Sequence, residues 1–220
     1  MKNFTVLLTV MISITLNASG QVVISQVYGG GGNTGAPYTH DFIELFNKGT
    51  NAVDLNGWSV QYASSTGTSW QVTNLTPITL QPGQYYLIQQ AQGSGGTSPL
   101  PTPDAIGTIA MSGTNCKVAL TNTTTALSGA CPTGTEIVDF VGIGTANCYE
   151  GTGASPAMSN TTSVSRASSG CTDNNDNSAD FTAGAPNPRN TSSPLNVCSA
   201  NAAATPVFSP GSGNYFNPVS

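Results

Sequence analysis

The sequence predicts an all-β domain built as a sandwich or barrel. Short β-rich runs recur between turn signals along the whole chain, and almost no window shows helical periodicity. Glycine (25 residues) and proline (14 residues) punctuate the chain from end to end. About 200 residues follow an N-terminal leader-like stretch, which suits one sandwich-sized domain.

Residues 22–28 form the first run, and a glycine-rich loop at 29–35 follows it. In the next run, residues 41–47, Ile43 and Leu45 share one face of a strand while Phe42, Glu44 and Phe46 share the other. Lys48-Gly49-Thr50-Asn51 reads as a turn, and residues 53–60 give another run with an internal Asn56-Gly57 turn signal. Residues 70–75, 78–80 and 85–89 continue the series, with Pro82-Gly83 turning between the last two. Residues 91–103 are a Gly/Ser/Thr/Pro loop with no apolar anchor. Strand-like sequence resumes at 106–110, 117–121 and 136–143. Residues 144–160 and 167–197 are turn-rich and expected to be irregular.

The two ends read differently from the middle. Met1-Lys2-Asn3, an apolar run over 4–16 and the small residues Ala18, Ser19 and Gly20 describe a secretory signal peptide cleaved after Gly20. The apolar run is shorter than the roughly 20 residues that span a bilayer. Residues 21–195 are expected to be the β-domain and 196–205 a linker. Residues 206–220, from Pro206-Val207-Phe208 onward, look like the entry to a second β-domain, stopped mid-strand.

Charged residues make up 7 % of the chain, against roughly 25 % in ordinary globular proteins. The net charge is −5, and five Lys and Arg are present, one of them Lys2. The surface must then be built mainly from Ser, Thr, Asn, Gln and Gly. Five cysteines, at 116, 131, 148, 171 and 198, follow the signal, which in an oxidising compartment means disulfides. Spacing leaves the connectivity open. The expected pairs are Cys116 with Cys131, across a hairpin loop between two strand-like segments, and Cys148 with Cys171, each in polar sequence that lacks a core. Cys198 is then free or paired outside the chain. No CxxC pair supports a zinc ribbon or a thioredoxin-like site.

Each motif that could carry chemistry has a plainer reading. Residues 30–35 match GxGxxG, with Asp54 where a ribose-binding acid would stand. A phosphate needs the N-terminus of a helix there, but Ala36-Pro37-Tyr38-Thr39-His40-Asp41-Phe42 leads into a strand, which leaves a flexible loop. His40 is the sole histidine. Beside Asp41 it could be an isolated ligand pair, but a strand-entry residue is the better reading. No GxSxG elbow occurs. Asp173, Asn175 and Asn177 have the alternating oxygens of a calcium loop, but Ser178 and Gly184 stand where an EF-hand needs glycine and glutamate. A non-EF calcium site at 173–180 and a polar turn of Asx caps both remain open, and no other cofactor is indicated. Trp70 and several tyrosines lie beside loops and could stack on sugars, whereas Trp58 and Tyr86 read as core.

The runs at 22–28, 41–47 and 53–60, with Leu80-Gln81-Pro82-Gly83-Gln84-Tyr85-Tyr86-Leu87-Ile88 and Ile137-Val138-Asp139-Phe140-Val141-Gly142, resemble the lamin-tail domain family in content, order and spacing. The resemblance spans about residues 21–190. It implies an immunoglobulin-like β-sandwich with long irregular loops, a binding or tethering role and no catalytic residues. Cys148-Tyr149-Glu150-Gly151 and Cys171-Thr172-Asp173 are similar to the branch found in secreted bacterial proteins, where the domain often sits beside extracellular nuclease or phosphatase domains. Residues 205–220 resemble the start of the small Ig-like module that ends some chitobiases and hexosaminidases.

The expected function is a non-catalytic binding, adhesion or tethering module of a secreted or cell-surface protein, monomeric as a domain. The alternative is an accessory domain of an extracellular nuclease or phosphatase whose catalytic part lies beyond residue 220. An extracellular glycan or envelope protein is the expected partner. Nucleic acid ranks below it, because Lys48, Lys117, Arg166 and Arg189 lie far apart in sequence and phosphate binding is built from several such contacts.

Overall fold

Alternation of apolar side chains sets up strands that bury one face against a second sheet. In the computed structural model, which describes residues 21–198, these are β1 (Val22–Tyr28), β2 (His40–Asn47), β3 (Val53–Asp54), β4 (Ser59–Ser64), β5 (Gln71–Asn74), β6 (Thr79–Leu80), β7 (Tyr85–Gln92), β8 (Ala105–Ile106), β9 (Cys116–Thr121), β10 (Ile137–Ile143), β11 (Ser163–Arg166) and β12 (Phe181–Gly184). A 3₁₀ turn at Ser168–Gly170 and one helical turn, α1 (Asn177–Asp180), are the helical pieces among the described residues. The expected signal peptide at 1–20 and second module at 206–220 lie outside the described residues.

The first sheet runs β12-β11-β1-β2-β7-β8 and the second β10-β9-β4-β5, with β3 and β6 as a separate ribbon. Among the described residues, every pairing between these strands is antiparallel except β7 with β8. Ile24, Ile43, Leu45, Tyr86, Ile88 and Val164 from the first sheet meet Val60, Tyr62, Val118, Leu120, Val141 and Ile143 from the second in one buried core. The fold is the immunoglobulin-like β-sandwich.

The outer faces are covered too, which the sequence did not announce. On the first sheet, Tyr28, Phe42 and Leu87 pack under Leu100, so the 91–103 loop has the apolar anchor it was expected to lack. Val23, Phe46 and Tyr85 pack under Cys171 and Cys198. Between these clusters Glu44 is fully buried and accepts hydrogen bonds from Ser25 Oγ and from Arg189. Chain expected to be irregular also supplies β12, which pairs with β11 at the sheet edge.

Two further expectations are corrected. The glycine-rich loop at 29–35 is packed rather than flexible. Gly32, at φ +67°, lies so close to Gly93 that a Cβ on either would meet the other's backbone. Gly95 N donates to Gly32 O at 2.6 Å and Gly32 N to Tyr38 O at 2.8 Å. The domain also passes the expected boundary at 195, because Asn196 N donates to Gly83 O at 2.9 Å and Cys198 is cross-linked.

The disulfides are Cys131–Cys148 and Cys171–Cys198, with Cys116 free and buried. This overturns the 116–131 and 148–171 pairs. The β9–β10 hairpin does form, with Cys116 opposite Ile143. Cys116 points with Val118 and Leu120 into the core, whereas Cys131 sits on the loop that crosses the outer face. Side chains that alternate across a sheet put those two sulfurs on opposite sides. Non-reducing peptide mapping should therefore return 131–148 and 171–198 peptides, with a thiol at Cys116 that is titrated only after denaturation. A 116–131 peptide would refute this arrangement.

Candidate ligand groove

Loop 122–136 crosses the outer face of the four-stranded sheet, and outward side chains of the strands beneath hold its backbone. Ser59 Oγ donates to Thr123 O at 2.7 Å. Gln61 holds the loop at two points with one amide: Nε2 donates to Thr125 O at 2.9 Å and Oε1 accepts from Leu127 N at 2.8 Å. Trp70 Nε1 donates to Gly129 O at 3.0 Å. Lys117 Nζ reaches Ala130 O at 2.6 Å, Gly67 O at 2.8 Å and Asn147 Oδ1 at 3.0 Å. Three acceptors satisfy the three ammonium N–H groups without a carboxylate. Burial pushes the Lys117 pKa below its usual range. Cys131–Cys148 then bolts the end of the loop to the segment that carries Tyr149.

The anchored loop borders two hollows that share Pro132 and Thr133 as a dividing wall. One, of 440 Å³, is lined by Thr123, Thr125, Leu127, Ser128 and Glu136. The other, of 380 Å³, is lined by Ile137, Phe140, Cys148, Tyr149 and Glu150. Both lie in the roughly 300–1,000 Å³ range of ligand pockets. Tyr149 is 43 % exposed and is the exposed aromatic ring among the described residues. Glu150 is pushed up to about 8, first by burial and then by the negative charge of Asp139. Its Oε2 accepts from Asn177 Nδ2 at 3.3 Å. Asn177 also bonds Gly142 N and Phe140 O, so it fastens the Glu150 segment to the edge of β10.

The residues singled out from sequence fall elsewhere. Trp70 is buried beneath the loop and is no stacking platform. Trp58 and Tyr86 pack with the main core, as read. His40 Nδ1 lies 2.9 Å from Thr39 Oγ1, while Asp41 turns to the other face and accepts from Gly31 N and Met111 N at 2.8 and 2.9 Å. The two do not form a ligand pair. Residues 36–42 enter β2, so the GxGxxG stretch opens no helix. In the 173–180 tract the oxygens are taken by protein donors. Asp173 meets Lys48 and Arg166, Asp180 accepts from Asn174 and Arg166, and Asp176 caps α1 through Ser178 N. That is the polar turn of Asx caps. Among the described residues, no three His, Cys, Asp or Glu are grouped to hold a metal ion.

All four Lys and Arg of the described residues are engaged inside the protein: Lys48 with Asp173, Lys117 with three oxygens, Arg166 with three carboxylates and Arg189 with Glu44. Sequence reasoning missed the groove itself. Its signal was the placing of Pro132 and Tyr149 directly after cysteines, which gains meaning only once the pairing of those cysteines is known.

No helix among the described residues is long and apolar enough to cross a membrane. A family model for the Lamin Tail Domain matches residues 15–145, more than half of the chain. A comparison with curated proteins finds no match. The matched family is immunoglobulin-like and non-catalytic, in keeping with a binding or accessory module.

Proposed function

The chain belongs to the lamin tail domain family, and from that premise we propose that it serves as a non-catalytic binding, adhesion or tethering module of a secreted or cell-surface protein. The observation that carries this reading is the groove, a shaped surface made rigid by side-chain hydrogen bonds and a disulfide. Preorganisation of that kind lowers the ordering cost of binding. Two disulfides and a leader-like N-terminus support export, and residues 148–151 and 171–173 support the secreted bacterial branch of the family. The same reading keeps residues 1–20 as a signal peptide and 206–220 as the entry to a further module.

Expression of the full chain tests it. The product should appear outside the cytoplasm with Gln21 at its N-terminus. It should be retained on isolated cell envelopes at physiological salt and not on DNA. It should leave DNA and phosphoesters intact. Hydrolysis lost in His40→Ala, or a cytoplasmic product with all thiols reduced, would overturn the proposal.

A further inference from the structure

We propose that the paired hollows beside Tyr149 bind a neutral, hydroxyl-rich polysaccharide, with the Tyr149 ring as the stacking platform. This rests on the binding-module reading and adds the site and the class of ligand. Uncharged sugars are recognised by an aromatic face and by groups that accept and donate hydrogen bonds to hydroxyls. The groove supplies both. Tyr149 is 43 % exposed at the rim of one hollow, and Thr123, Thr125, Ser128 and Thr133 line the other. The hollows adjoin across Pro132 and Thr133, so a chain of sugar rings can run from one to the next.

Charge selects against the competing ligands. Glu136 and Glu150 are the acidic side chains lining the two hollows, and no cation lines either. The Lys117 ammonium lies beneath the loop and is held by three oxygens. A polyanion would meet the Glu136 carboxylate without a compensating cation, while Glu150, pushed up to about 8, is largely a neutral carboxyl near neutrality that can donate to a sugar hydroxyl. A carboxylate can instead accept from two adjacent sugar hydroxyls. Rigidity completes the case: the disulfide and the bonds from Gln61, Trp70 and Lys117 fix the ridge before a ligand arrives, so binding orders little.

Affinity electrophoresis of the full chain in gels containing xylan, mannan or soluble cellulose, beside pectate and DNA, tests the proposal. At least one neutral polysaccharide should retard the chain at physiological salt, and the two polyanions should not. Tyr149→Ala should weaken that retardation about tenfold, whereas Tyr149→Phe should keep it, because the ring and not the hydroxyl makes the contact. Thr133→Trp, which fills the shared wall, should weaken it as well. Melting temperatures identical to that of the parent chain separate lost binding from lost folding. Retardation by a neutral polysaccharide that Tyr149→Ala and Thr133→Trp leave unchanged overturns the site. Retention on cell envelopes with no retardation by any neutral polysaccharide overturns the ligand class, yet leaves the binding-module reading standing.

Discussion

Arg166→Ala should cost about 3–5 kcal/mol of stability, the loss expected when one partner of a buried ion cluster is removed. The Arg166 side chain is fully buried. Its Nη2 donates to both oxygens of Asp139, at 3.0 and 2.9 Å. Its Nη1 reaches Asp173 at 3.0 Å and Asp180 at 3.3 Å, and its Nε donates to Ile24 O at 3.0 Å. The guanidinium also lies over the Phe181 ring, 4.6 Å from its centroid. β1 bulges between Ile24 and Gln26, and Ile24 N donates to Asp139 Oδ2 at 2.6 Å. One side chain therefore joins β11, β1, β10 and the turn before α1, across both sheets. Its removal leaves Asp139 and Asp180 buried without a cation, while Asp173 keeps Lys48. For a domain of this size the melting temperature should fall by on the order of 10 °C. Arg166→Lys should recover part of the loss, because an ammonium keeps the charge and forfeits the bidentate fork. An unfolding free energy for Arg166→Ala within about 1 kcal/mol of the parent chain would show the cluster to be energetically idle.

That cluster marks the limit of what the sequence made legible. The strands with apolar alternation were readable because alternation is local: residues 22–28, 41–47, 117–121 and 136–143 correspond closely to β1, β2, β9 and β10. β11, Ser163-Val164-Ser165-Arg166, was not, since three of its four side chains are polar and its claim to be a strand rests on partners far along the chain. The same applies to the outer faces. Placing Phe42, Glu44 and Phe46 on one face was correct, but nothing local said that the face would be roofed by Leu100 and, more than a hundred positions later, by Cys171, Arg189 and Cys198. Arg189 N and Nη2 bond Glu44 at 2.6 and 2.7 Å, and the Arg189 guanidinium lies 3.8 Å from the Tyr85 ring centroid.

The cysteine pairs failed for the same reason. Pairing depends on which face of the sheet a loop crosses, and that is decided by Gln61, Trp70 and Lys117 reaching for loop carbonyls. Sparse charge was legible as composition, but its use was not. The low total suggested a surface poor in charge. It did not show that the four described cations would be spent on internal carboxylates and carbonyls.

Stability should fall as the pH rises from about 4 to about 8, by several kcal/mol, with Asp41 and Glu150 contributing to the slope beside Glu44 and Asp139, which burial also raises. Burial pushes Asp41 up to about 7, against which the hydrogen bonds from Met111 N and Gly31 N work only partly. The titratable groups facing it, Tyr28, Tyr62 and Cys116, are themselves pushed up by burial and carry no charge near neutrality. Glu150 reaches about 8. A carboxyl whose folded pKa exceeds its unfolded value holds a proton that the unfolded chain has released. Its stabilising contribution is complete below the unfolded pKa, near 4, and is lost as pH rises through the folded pKa. At 1.36 kcal/mol per unit, the Asp41 shift alone corresponds to about 4 kcal/mol between those limits. Asp173 and Asp176 act in the opposite sense. Burial raises Asp173, but Lys48 and Arg166 outweigh it and hold the carboxyl low, while bonds from Ser178 and Thr152 hold Asp176 at about 2. Their contribution is lost only in stronger acid, which puts the maximum of stability near pH 4–5. Urea denaturation at pH 4.5, 6, 7 and 8.5 should show the decline. Asp41→Asn should flatten its part below pH 7, and Glu150→Gln its part up to pH 8, whatever either substitution does to stability at the acid end. A free energy of unfolding that is level or rising between pH 5 and 8 in the parent chain would mean that both carboxyls titrate at ordinary values and that water reaches them.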